Sequence, residues 1–169
     1  MDNAICYGTM ESPLGQLVLR GDGQVLTGLY LPQQKRWQGP QSSWRHSETS
    51  FEMVREQLAA YFAGERQEFQ IPVGLEGTPF QLRVWRELMR IPFGTTITYA
   101  ELARRVGQPT ASRAVGNANG RNPVSIIVPC HRVIGANGKL TGYAGGVEKK
   151  DWLLHWERTQ TAGQPGLLF

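Results

Sequence analysis

At Thr78 the chain changes texture, and this change constrains the fold more than any other feature. Before it, short β-prone runs are separated by turn residues. After it, apolar residues recur at helical spacing. Strand-length runs followed by helix-length runs predict an α+β protein. The expected architecture is a small N-terminal antiparallel sheet with one helix, followed by a mostly helical C-terminal domain. The expected division is 1–75 and 76–169.

In the first part, residues 4–10, 16–20 and 24–31 read as strands. Ser12-Pro13-Leu14-Gly15 and Gly21-Asp22-Gly23 supply the turns between them. Residues 32–47 are polar and irregular, with Trp37 and Trp44 as covers for the sheet. Phe51, Val54, Leu58, Tyr61 and Phe62 recur at helical spacing and predict a helix over 47–63, stopped by Gly64. Residues 65–77 form a connector, with an edge strand at 68–71.

In the second part, Thr78 can cap a helix and Pro79 can occupy its first position. Phe80, Val84, Trp85 and Leu88 form its apolar face, and Pro92 and Gly94 end it. Thr98-Tyr99-Ala100-Glu101 has the capping-box pattern and opens a short helix to Arg105. Gly107-Gln108-Pro109 turns the chain. Thr110 caps a third helix that packs through Ala111, Ala114, Val115 and Ala118 and closes at Asn119-Gly120. A last helix covers 147–158, with Trp152, Leu153 and Trp156 on one face. The tail, 159–169, is loosely held.

Of the 169 residues, 40% are hydrophobic and 19% charged, which excludes a disordered chain. No apolar stretch approaches the roughly 20 residues a bilayer requires, so no membrane is expected. The first residues lack a basic segment followed by an apolar core, so a cytoplasmic location is expected. Cys6 and Cys130 are the two cysteines, and a disulfide between them is not expected in such a compartment. The net charge of +4 permits a polyanionic partner without requiring one.

Two short helices joined by a glycine turn, Thr98 to Arg105 and Thr110 to Asn119, fit a helix-turn-helix, a pattern also common in α-rich cores. The second helix is slim: Ala111, Ser112, Ala114, Gly116 and Ala118 are small. It suits close approach to a sugar-phosphate backbone in the minor groove, with little sequence preference. Arg113 is its one long cation. It can fill the space of a base that has left the stack, or simply be solvated.

Pro129-Cys130-His131-Arg132-Val133 follows the apolar run Val124-Ser125-Ile126-Ile127-Val128, which reads as a buried strand ending at a thiol. A thiol beside an imidazole can be tuned as a nucleophile. The competing reading is a buried cysteine acting as a small hydrophobe. Thr141-Gly142-Tyr143-Ala144-Gly145-Gly146 follows shortly after.

Together these segments resemble the O6-alkylguanine-DNA alkyltransferases, also called methylated-DNA–protein-cysteine methyltransferases. The resemblance rests on Asn122-Pro123 before Pro129-Cys130-His131-Arg132-Val133, on Gly142-Tyr143-Ala144-Gly145-Gly146 after it, on Arg113-Ala114-Val115-Gly116, and on Trp152-Leu153-Leu154-His155-Trp156-Glu157. It is dense from Thr78 to Glu157. It implies direct reversal of damage in double-stranded DNA: an O6-alkylguanine is flipped out and its alkyl group moves irreversibly to the protein's own cysteine. O4-alkylthymine is a further candidate substrate. No cofactor is implied. The protein is expected to be a monomer in solution, with copies able to associate on DNA.

The resemblance also implies roles. Cys130 is the acceptor, and His131 is the base, acting through a bridging water. Glu157 orients the imidazole, Asn122 braces the network, and Tyr99 donates to the leaving base. Arg113 replaces the evicted base, and Ser112, Ala114 and Gly116 accompany it on the DNA-facing helix. Tyr143 and Ala144 line the pocket, Ala144 where some relatives carry Ser. Ser125 stands where some relatives carry Pro. Some members bind zinc in the N-terminal domain, but here only Cys6 and His46 offer such ligands, so no metal is expected. A lesion-binding protein on the same fold, with tryptophan in place of the cysteine, a repeatedly acting thiol hydrolase and a plain regulator are the competing functions.

Overall fold

A computed structural model of the chain describes residues 4–162; the end of the expected loose tail, 163–169, lies outside them. The fold is α+β, and the chain forms two compact units. One comprises the chain up to Glu76 together with Pro123–Ser125. The other comprises Gly77–Asn122 and the chain from Ile126 onward.

The first unit is built on β1 (Cys6–Ser12), β2 (Gly15–Gly21) and β3 (Leu26–Tyr30). Strands β1 and β2 form a hairpin in register from Cys6 opposite Gly21 to Ser12 opposite Gly15. Its turn needs Gly15 at φ +102°, backbone that glycine adopts without steric penalty. The alternation of the strands sends Leu17, Leu19 and Leu29 into the core, all fully buried, as are Leu58 and Tyr61 of α1 (Glu52–Phe62).

The sheet differs from the purely antiparallel one expected. A two-residue strand, β4 (Arg45–His46), pairs parallel with β1, giving the mixed order β3-β2-β1-β4. Both β4 residues are exposed, so no apolar alternation announces them in the sequence. No strand forms at 68–71. Instead Val73 makes a single parallel bridge to Leu26. Helix α1 is also shorter than expected, because Thr49–Phe51 winds as a 3-10 turn. Trp37 and Trp44 do lie against sheet residues. Trp37 stacks flat on Tyr30 with ring centroids 3.8 Å apart, Trp44 stacks on Trp37, and the Arg20 guanidinium covers Trp44.

The second unit begins with α2 (Pro79–Leu88). Thr78 and Gln81 cap it reciprocally, each side chain accepting from the other's backbone N–H. Val84, Trp85 and Leu88 are buried, and Trp85 Nε1 donates to the Ala118 carbonyl at 2.8 Å. After β5 (Ile97–Thr98) come α3 (Tyr99–Arg105) and α4 (Ser112–Gly120), joined by a turn containing Gly107 at φ +78°.

Two caps differ from expectation. Thr98 accepts from the Glu101 N–H, but the Glu101 carboxylate turns to Arg104 and Arg105 rather than back to Thr98. Helix α4 starts after Ala111 with no side-chain cap, so Thr110 does not cap it. Its buried side is Val115, Ala118 and Asn119, while Ala114 is exposed beside Arg113.

The apolar run before Cys130 is buried but is not a strand. Val124 bridges Leu29, and Ile126 then adopts φ +73°, which breaks extended pairing. The chain next enters a 3-10 turn, Cys130–Arg132, and β6 (Val133–Ile134). The last helix, α5 (Val147–Ala162), runs four residues past its expected end at Arg158.

Candidate active site

One strand pair fixes the frame of the site. Strand β6 pairs parallel with β5, Ile97 opposite Val133 and Thr98 opposite Ile134. Strand β5 leads directly into Tyr99, and β6 directly follows the Cys130 turn. The phenol and the thiol are thereby held in one local framework.

Within the turn, His131 is fully buried and its Nε2 lies 2.8 Å from Glu157 Oε2. An ionised carboxylate only accepts, so Nε2 carries the proton and Nδ1 has the free lone pair. Nδ1 is buried and makes no hydrogen bond to the protein. Glu157 sits well inside α5 and is itself fully buried. Arg132 holds it with two parallel bonds, Nε to Oε1 at 2.8 Å and Nη2 to Oε2 at 2.9 Å. The Gly94 N–H donates to Oε1 at 3.2 Å. Arg132 also donates from Nη1 to the Ile91 carbonyl at 2.7 Å and lies over the Phe93 ring. The carboxylate charge is thus paired and hydrogen-bonded on both oxygens, as a buried ion requires.

These surroundings set the protonation states. Burial works to raise the Glu157 carboxyl, but His131 and Arg132 outweigh it and hold the group well below the usual range. Burial lowers the His131 imidazole, against the opposing pull of Glu157. Burial pushes the Cys130 thiol up to about 11, partly offset by a hydrogen bond from Asn122 and by the charge of Lys150. The resting pair is therefore a neutral thiol beside a neutral imidazole whose Nδ1 is free to accept a proton.

Two asparagines hold the backbone around the sulfur. Asn122 donates from Nδ2 to the Val128 carbonyl at 2.7 Å, and Asn119, from the end of α4, donates to the Cys130 carbonyl at 3.3 Å. On the other side, the half-buried Tyr99 donates to the Thr141 carbonyl at 3.0 Å. Burial raises its phenol, so the hydroxyl stays a donor. Lys150 of α5 is fully buried, with Nζ 2.9 Å from the same carbonyl and 3.4 Å from Tyr99 Oη.

The segment 141–146 closes against this group. Tyr143 and Gly145 are buried, Ala144 is half-buried, and Gly142 has φ +67°. A Cβ on Gly142 would sit 3.5 Å from Tyr99 Oη, and one on Gly116 of α4 would sit 3.6 Å from the Tyr99 ring. Helix α4 thus runs past Tyr99 with Ser112 and Gly116 half-buried and Arg113 and Ala114 exposed.

Cys130, His131, Glu157, Asn122, Tyr99 and Tyr143 all belong to the second unit, as do Ser112, Arg113, Ala114, Gly116 and Ala144. Ser125 does not. It belongs to the first unit, where its hydroxyl lies 3.5 Å from Gln34 Oε1. Three side chains that the sequence reading passed over stand in the site: Arg132, Asn119 and Lys150. Arg132 was visible as part of the pentapeptide. Asn119 looked like a helix stop. Lys150 lies between Lys149 and Asp151 and looked like any solvated cation. No group of three His, Cys, Asp or Glu able to hold a metal occurs among the described residues, and no helix among them is long and apolar enough to cross a membrane.

Comparison with known proteins places this geometry. Residues 79–159 match the model of the 6-O-methylguanine DNA methyltransferase DNA-binding domain, and residues 5–75 match that of the ribonuclease-like domain of the same proteins. The methylated-DNA–protein-cysteine methyltransferase of Mycobacterium tuberculosis is 50% identical over 156 residues, 92% of this chain and 94% of that one. The constitutive enzyme of that name from Bacillus subtilis is 47% identical over 156 residues, 90% of this chain and 94% of its own. A crystal structure of Mycobacterium tuberculosis OGT in complex with DNA superposes with a TM-score of 0.87 at 49% identity, covering 96% of both chains.

Proposed function

Because the chain belongs to the 6-O-methylguanine DNA methyltransferases, we infer that it repairs alkylated DNA by taking the alkyl group onto Cys130. DNA is its partner, and the reaction is alkyl transfer to a protein cysteine. We further propose that the substrate is O6-alkylguanine in duplex DNA, flipped from the stack, and that each molecule acts once. The observation that carries this reading is the tautomer of His131: Nε2 is bound to Glu157, and the basic Nδ1 belongs to the residue next to the thiol.

His131 Nδ1 takes the Cys130 proton through one bridging water, giving thiolate and imidazolium. Glu157, ionised and gripped by Arg132, stabilises that cation. The thiolate attacks the alkyl carbon, a C–S bond forms, and the C–O6 bond breaks with its electron pair going to the guanine. Tyr99 donates its proton to the leaving base. The product thioether has no ready leaving route, so Cys130 is consumed. Asn122 holds the turn that carries Cys130.

Arg113, exposed on α4, fits the space of the flipped base, with Ser112, Ala114 and Gly116 giving a slim surface toward the DNA backbone. Tyr143 and Ala144 belong to the segment that encloses the base. Ser125, which stands where some relatives carry Pro, bears on the width of that pocket. The protein is a monomer in solution whose copies can associate on DNA, and its affinity for DNA falls with salt.

The test uses duplex DNA carrying O6-methylguanine with a labelled methyl group. Label should move to protein and stop at one equivalent. Label released to water with continuing turnover would mean a hydrolase, and lesion binding without transfer would mean a binding protein.

A further inference from the structure

We propose that Lys150 is a positioning residue for departure of the guanine, holding the Tyr99 hydroxyl and resupplying the proton that Tyr99 gives to the leaving base. This deepens the alkyl-transfer reading and rests on it. Lys150 Nζ, Tyr99 Oη and the Thr141 carbonyl oxygen form a closed triangle, with sides of 2.9, 3.0 and 3.4 Å. The ammonium donates to both oxygens, since it has no lone pair to accept with. The phenol then has one free act, donation, and donates to Thr141. An incoming base competes for that single O–H. Lys150 still donates to the Thr141 carbonyl when the phenol turns away, so that acceptor keeps a donor through the switch.

Burial makes the Tyr99 phenol a weaker acid, and an ammonium donating to its oxygen works against that by stabilising the phenolate formed as the proton leaves. The guanine ring nitrogen takes the Tyr99 proton as the C–O6 bond breaks, Tyr99 takes a proton from Lys150, and the neutral amine regains one through water that enters once the base has left. Burial brings the Lys150 ammonium down to about 8, so it can give up a proton near neutral pH. A lysine enclosed on all sides is costly to keep without such use.

Lys150 also faces Cys130 electrostatically, so a second role, favouring the thiolate, must be separated from the first. Two methyl donors do this. Iodomethane alkylates a thiolate and loses iodide, which needs no proton. O6-methylguanine loses a base that does. The full chain is reacted with both, with methylation of Cys130 read by peptide mass. In K150M the rate with iodomethane should fall only as far as the lost charge beside Cys130 reduces thiolate, and the rate with O6-methylguanine duplex should fall about tenfold or more beyond that. K150Q, which can still donate to Thr141, should behave the same way, and it carries the test if K150M fails to fold. An unchanged rate with the lesion duplex would overturn the proposal, as would an equal fall with both donors in K150Q. Absence of methyl transfer by the wild-type chain would instead overturn the alkyl-transfer reading itself.

Discussion

Arg132 and Glu157 form a bidentate, fully enclosed ion pair, Nε to Oε1 at 2.8 Å and Nη2 to Oε2 at 2.9 Å, and His131 shares the second oxygen. The carboxylate that orients the imidazole is therefore itself held from the residue next to that imidazole. Arg132→Met should leave Glu157 buried with too few donors. We expect a loss of about 3–5 kcal/mol in urea unfolding, the scale of breaking a buried pair. Arg132→Lys should recover only part of it, because one ammonium cannot reproduce two parallel bonds. A loss below about 1 kcal/mol, the scale of an exposed pair, would contradict this account of the site.

The same cluster sets the acid limit of stability. Folded Glu157 resists protonation that the unfolded carboxyl accepts below its ordinary 4.5, and folded His131 stays neutral where the unfolded imidazole takes a proton below 6.5. In both windows the unfolded chain binds more protons, so stability falls as pH falls. Urea midpoints should decline from pH 6.5 downward and more steeply below 4.5. His131→Gln should remove the upper part of that decline. A flat profile over this range would contradict the assigned protonation states.

In the free protein, Cys130 should be a slow nucleophile at neutral pH. Burial holds the thiol near 11, so its methylation by iodomethane should climb with pH in proportion to thiolate and level off only near that value. Asn122→Ala removes a hydrogen bond that favours the thiolate and should slow the reaction further at each pH. Fast alkylation at neutral pH, insensitive to base, would show a preformed thiolate instead.

Arg113 offers a prediction specific to flipping. Arg113→Ala should slow repair in duplex DNA by about tenfold but leave reaction with free O6-benzylguanine nearly unchanged, since the free base needs no extrusion. Equal slowing of both substrates would remove Arg113 from the base-replacement role.

The caps give a test of the fold. Thr78→Ala breaks a reciprocal cap and should cost about 1 kcal/mol in urea unfolding. Thr110→Ala should cost close to nothing, because α4 begins without a side-chain cap.

That contrast shows what the sequence made legible. Thr78-Pro79 is a local pattern that announced the cap, and Gln81, which the sequence reading did not use, completes it. Thr98 kept its half of a capping box, but Arg104 and Arg105 lie within one turn of Glu101 and took its carboxylate. The run from Val124 to Val128 was apolar because it is buried on all sides, and full burial leaves the same string whether the backbone is extended or turning. Only the φ of Ile126 separates the two, and no residue type signals it. Strand β4 was hidden for the opposite reason: both its residues are exposed, and its pairing to β1 adds only the contacts of Arg45 with Cys6 and of His46 with Tyr7, which no apolar alternation announces.

At the site, the thiol, imidazole, carboxylate and phenol were legible through a dense resemblance in the second part of the chain. Lys150 was not. Its neighbours in sequence are the half-buried Lys149 and the exposed Asp151, so nothing local marks Lys150 as the enclosed one of the three. Its burial follows from the rotation of α5 against Tyr99 and Thr141, a tertiary fact.

The account turns on where the alkyl group ends. The most direct measurement is peptide mass mapping after reaction with a slight excess of O6-methylguanine duplex, with Cys130→Ser run alongside. One methyl group should appear on the peptide containing Cys130 and none on that containing Cys6, while Cys130→Ser stays unmodified yet still binds the duplex. Methyl on any other residue, or a methylated product in Cys130→Ser, would contradict it.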